Sequence, residues 1–231
     1  MNNNTKTAKD ASFFHTAGVL IQAAKEWTSI VENFPYGLAA LIFYYMLYQS
    51  ELVPQWLSVW GLLGGALLIA MGLLRMFGKP VIFLAIPILL NELVLAVWLI
   101  VLGFNSSTIA FSIVGLLFIT ALVSSMLSGV FAGSLDDTDY VTVVSAKGNK
   151  VLVGVLLQLT LTASVVAIPV VMFPILSEYN ESLALGYVGA RIFEGFCDAL
   201  MAISMLLLLT LSREYVKAGT PVVEINGNEL V

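Results

Sequence analysis

Charge is what this sequence lacks most. Asp, Glu, Lys and Arg make up 11% of its 231 residues, where an ordinary soluble domain has about 25%. That leaves too little polar surface to cover a soluble globule. Reactive side chains are equally scarce. The single cysteine, Cys197, excludes a disulfide framework. The single histidine, His15, argues against a zinc hydrolase, whose metal needs His or Cys ligands, and against a Ser-His-Asp relay. No basic tract or nucleic-acid motif is present, and no residue pattern points to a cofactor. Met1–Asp10 is polar, and the apolar stretch after it has no small-residue cleavage pattern, so no cleaved signal peptide is expected.

What is abundant is apolar chain. Hydrophobic residues make up 59% of the sequence, and several runs exceed the roughly 20 residues that span a hydrocarbon layer. The runs do not alternate apolar and polar as barrel strands would. The expected architecture is all-α: a six-transmembrane-helix bundle of antiparallel hairpin topology. One domain, 11–217, would lie between a polar N-terminal tail, 1–10, and a C-terminal tail, 218–231, with membrane lipids as the surrounding partner.

Local signals divide the chain. Ala11–Ser50 would be about 60 Å long as one helix, so a kink at Pro35 is expected. Within it, Gln22, Lys25/Glu26, Ser29, Glu32/Asn33 and Tyr36 recur every three or four residues as a polar stripe, wet or facing the bundle. Tyr44, Tyr45, Tyr48 and Trp56 read as an interfacial aromatic belt. In the second span Gly61 and Gly65 permit close helix contact, and in the fourth Ser125, Gly129 and Gly133 form a similar ridge. The acids Asp136, Asp137 and Asp139 lack the spacing of a calcium loop and read as a solvated turn. The fifth span carries Gln158 with Thr160, Thr162 and Ser164, whose hydroxyls are expected to bond back to their own backbone. The segment Ser177–Ser182 turns the chain into the sixth span.

An even number of spans puts both termini on one side. That side would hold Lys6, Lys9, Arg75, Lys79, Lys147, Lys150, Arg213 and Lys217, while the turns 50–55, 104–107 and 177–182 hold no Lys or Arg. The positive-inside rule therefore places the termini in the cytoplasm.

The remaining charges are the functional question. Leu183–Leu211 can cross a bilayer, yet it carries Arg191, Glu194 and Asp198 at spacings of three and four, on one helical face. A charge at membrane depth costs about 2.5–3.5 kcal/mol on insertion scales. Such residues persist where they pair, face the bundle interior or do a job. Glu92, in mid-span beside Asn91, is a second such oddity. The candidate polar cluster is Lys25, Glu26, Glu32, Glu92, Arg191, Glu194 and Asp198. Three readings remain open: a site for a small polar ligand, ion or proton; an intramembrane, lipid-directed enzyme; and mutual neutralisation that only holds helices in register. Buried charge drawn from at least three helices favours the first. No metal site is expected.

Several phrases agree with a known family. LALGYVGARIFEG (183–195), FYYMLYQSELVPQWLSVWGLLG (43–64), AIPILLNELVLAVWLIVLGF (85–104), AGSLDDTDYV (132–141) and TLSREYVKAG (210–219) together resemble the domain of unknown function 4386 family of bacterial and archaeal membrane proteins. The resemblance covers most of 11–220 and implies a cytoplasmic-membrane location but no activity. The order differs: relatives begin with the helix matching 108–132 and end with the one matching 81–104, which are joined here through Asn105–Thr108. The chain thus resembles a circular permutant. Relatives also carry Lys or Arg in the turns matching 50–56 and 177–182, a pattern that favours the opposite orientation.

Overall fold

A computed structural model describes residues 3–79, 81–105, 109–132, 144 and 147–217. It is built of helices α1 (Asn3–Val31), α2 (Asn33–Ser50), α3 (Gln55–Met76), α4 (Ile86–Asn105), α5 (Ile109–Ala132) and α6 (Gly148–Lys217), with a 3₁₀ turn at Ile82–Ala85 before α4. Among the described residues there is no strand. Five helical stretches are long and apolar enough to cross a membrane: Thr16–Ser50, Gln55–Met76, Ile82–Val101, Ile109–Phe131 and Gly148–Val216. The sequence reading separates 151–176 from 183–211 by a turn. In the structure helix continues through that turn, and the break is confined to Asn180 (φ −159°, ψ 103°). The Asn180 Oδ1 accepts the Leu183 N–H at 3.0 Å, an N-cap for the second arm. The arms then run back along each other: Gln158 bonds Asp198, Gly195 lies against Val166, and Gly148 against Arg213.

Helical backbone begins at Asn3, so it includes most of the stretch read as a polar tail. The tail 218–231, the acidic turn at 136–139 and Gly133 lie outside the described residues. The kink expected at Pro35 falls at Glu32, between α1 and α2. The displacement has a cause. The Pro35 ring crowds the carbonyl four residues earlier, that of Val31, which is where α1 ends. The Asn33 amide spans the break, donating to the Ser29 and Ile30 carbonyls at 2.9 and 3.0 Å.

The exterior is apolar on every described helix. Leu63, Val97, Leu116, Met126, Leu156, Ile192 and Phe193 are all exposed, which suits lipid and not water. The molecule is a membrane-embedded protein. Inside, the glycines of α3 act as foreseen. A Cβ on Gly61 would overlap the Tyr44 ring, and one on Gly65 would meet Ala40 Cβ at 3.1 Å, so α2 and α3 meet nearly backbone to backbone. Tyr44 is therefore core and not belt, at 1% exposure, whereas Tyr45, Tyr48 and Trp56 are exposed. The ridge expected on α5 is displaced too. Gly129 faces open space, and the buried small residues are Ser124 and Ser128, on the adjoining face.

A buried charged chamber as candidate functional site

The second arm of α6 sorts its residues by face. Tyr187, Arg191, Glu194 and Asp198 are buried, while Ile192, Phe193 and Phe196 point outward. Arg191 is 3% exposed, so its charge must be met within the protein. Its Nη1 lies 3.0 Å from Glu194 Oε1 and 3.2 Å from Oε2. Its Nη2 is 3.8 Å from Glu92 Oε1. The guanidinium carbon also sits over three rings, 5.4 Å from Tyr36, 5.6 Å from Tyr187 and 5.9 Å from Phe118. These are cation–π distances in a desolvated setting, where each contact is worth about 2 kcal/mol or more. Two atoms are left over: Arg191 Nε and the Tyr187 hydroxyl are both buried without a hydrogen-bond partner.

Around this group lies a cavity of about 80 Å³, lined by Glu32, Tyr36, Leu89, Glu92, Phe118, Ala121, Leu122, Ser125, Leu161, Val165, Ile168, Arg191, Glu194 and Asp198. It is large enough for a few waters or the head of a small polar molecule. Each element supplies residues at helical spacing. Leu89 and Glu92 come from α4; Phe118, Ala121, Leu122 and Ser125 from α5; Leu161, Val165 and Ile168 from the first arm of α6. Glu32 enters because the α1–α2 break sits at the chamber wall. Tyr36, one turn further, lines the same wall.

The carboxyls are not equally provided for. Glu92 and Glu194 share Arg191. Asp198 Oδ1 accepts from the Gln158 amide at 2.8 Å, and Gln158 Oε1 accepts from Ser128 at 3.2 Å. Among the described residues, neither Asp198 nor Glu32 has a cationic side chain at ion-pair distance. Nor do three His, Cys, Asp or Glu side chains among them converge closely enough to hold a metal ion.

Of the seven candidates read from the sequence, the fold brings five together: Glu32, Glu92, Arg191, Glu194 and Asp198. Lys25 and Glu26 stand apart, lining a separate cavity of about 460 Å³ with Gln22, Ser29 and Arg75. Arg75 closes the side of that vestibule nearer the chamber, bonding Ser29 through Nη2–Oγ at 2.9 Å. Sequence reasoning missed Gln158 as a partner of Asp198. Its neighbours Thr160, Thr162 and Ser164 bond back to their own helix, as expected of their hydroxyls. The available signal was its place on one face with Leu161, Val165 and Ile168, and an amide too long to be satisfied by its own turn. Asn91 does the same on α4, donating to Leu57 O at 2.9 Å.

The chain matches the family described as Domain of unknown function (DUF4386) over residues 2–103 and 113–226. It belongs to the DUF4386 family. No curated protein and no solved structure matches it. Every chamber residue falls within the two DUF4386 segments. The stretch between them contains Asn105–Thr108, where the sequence reading places the join of a permuted order.

Proposed function

We propose that the chamber is a binding site for a small polar ligand, ion or proton, and that the protein binds or conducts it within the membrane. The observation that carries this reading is Arg191 Nε, a buried and unpartnered donor on a residue that lines a cavity with four carboxyl groups. A cluster serving only to neutralise itself would close on its own charges. This one leaves space, a free donor and two acids without cations. Access from water is supported by the α1 stripe: Gln22, Lys25, Glu26 and Ser29 line the vestibule, and Glu32 and Tyr36 line the chamber. Lys25 and Glu32 are about 10 Å apart along the helix.

The bundle is proposed to cross the membrane six times, the two arms of α6 each counting once, with both termini cytoplasmic in a bacterial or archaeal membrane. Arg213 packs beside Gly148 and Arg75 reaches Ser29, which gathers cations towards one end. The turns 51–54 and 177–182 hold Glu51, Glu178 and Glu181 and no Lys or Arg.

The test is dye-reported proton and monovalent-cation flux into proteoliposomes. Glu92→Gln and Glu194→Gln, each checked for folding by size-exclusion chromatography, are expected to lower the flux at least about tenfold. Flux equal to wild type in both would sink the proposal and leave the charges the task of holding helices in register.

A further inference from the structure

The chamber shares a wall with the lipid-facing surface. Between α4 and α5 runs an apolar groove of about 370 Å³, whose lining includes Leu90, Leu93, Ile119 and Met126. Leu89 and Leu122 line both the groove and the chamber. Two leucine side chains, one from each helix, are thus all that the two cavities have in common, and Leu89 is 41% exposed on the outer side.

We infer that the chamber is reached sideways from the membrane between α4 and α5, and that its occupant is a membrane-resident amphiphile with an ammonium head and an adjacent oxygen. This rests on the chamber being a binding site and names what binds. Charge chooses the head. The lining carries four carboxyls against one guanidinium, and Glu32 and Asp198 have no described cation at ion-pair distance. An ammonium placed between them would meet that surplus. Arg191 Nε–H would take the oxygen. Size chooses the rest. The chamber is too small for more than a head, whereas the groove falls within the roughly 300–1,000 Å³ of small-molecule sites and is lined only by apolar side chains. A fatty acid would set a carboxylate against carboxylates and is disfavoured.

The probe is radiolabelled N-hexadecylethanolamine, binding to the full chain in a sugar-headed neutral detergent. Ethanolamine supplies the head alone, and hexadecanol and hexadecanoate supply chains with the wrong head. The labelled amine is expected to bind at least about tenfold more tightly than any of the three. Asp198→Asn, which keeps an acceptor for Gln158, should remove that advantage. Leu93→Trp, at a lipid-facing position, should weaken the long-chain compound while leaving ethanolamine unchanged. Equal binding of hexadecanoate overturns the choice of head. Ethanolamine binding as tightly as the long-chain amine overturns sideways access while the chamber remains a polar site. Binding of the amine unaffected by both substitutions reduces it to detergent partitioning and overturns the inference, with the flux experiment then deciding the chamber alone.

Discussion

The chain from Gln22 to Tyr36 lines two polar cavities about two turns apart, and the protein treats them differently. In the vestibule Lys25, Glu26 and Arg75 line an open cavity of about 460 Å³, and Glu26 is exposed. In the chamber Arg191, Glu194 and Asp198 are each 3% exposed or less. The vestibule lining carries two cations and one acid, the chamber lining one cation and four acids. The difference lies in what else competes for the charge. In the vestibule water solvates each group, and an ion pair there is worth about 0–1 kcal/mol. In the chamber every interaction lost is an uncompensated buried charge. The same substitution should therefore have unequal effects in the two places.

The largest effect is expected from Arg191→Met, which strands Glu92 and Glu194 without their shared cation. A loss of about 3–5 kcal/mol in detergent unfolding is expected. Combining it with Glu194→Gln should restore part of that, because the two changes act on one pair. Strict additivity would show that the pair seen at 3.0 Å contributes nothing to stability. Gln158→Leu comes next. It removes the donor to Asp198 and the acceptor for Ser128, and should cost about 1–3 kcal/mol. A neutral outcome would mean that Asp198 finds another donor in the cavity. The smallest effect is expected in the vestibule: Glu26→Gln should shift stability by no more than about 0.5 kcal/mol. If Glu26→Gln proved as damaging as Arg191→Met, the contrast between the two cavities would be void.

Arg191, Glu194 and Asp198 were legible as one face because helical period alone places residues three and four apart on one side. Glu92 was legible because a carboxyl in mid-span is costly wherever it points. Gly61 and Gly65 were legible because small residues at that spacing permit close approach. Other features were not. Period places Glu26 and Glu32 on the same stripe, and only the helices packed beside it put one in each cavity. Tyr44 reads like Tyr45 and Tyr48, yet its ring fills the gap left by Gly61. The partnership of Gln158 with Asp198 joins residues 40 apart in sequence and depends on the reversal at Asn180.

By itself the sequence settled that this chain lives among lipids and folds as helices, since long apolar runs leave the backbone no other way to satisfy its hydrogen bonds there. It also marked Glu92, Arg191, Glu194 and Asp198 as residues that must turn inward, because the cost of exposing a charge to hydrocarbon follows from residue type and run length. Tertiary structure decided which of those residues meet, that Arg191 keeps one donor unused, and that Leu89 and Leu122 line both the charged chamber and the lipid-facing groove. Those outcomes depend on the relative placement of helices far apart in sequence, which no local period encodes.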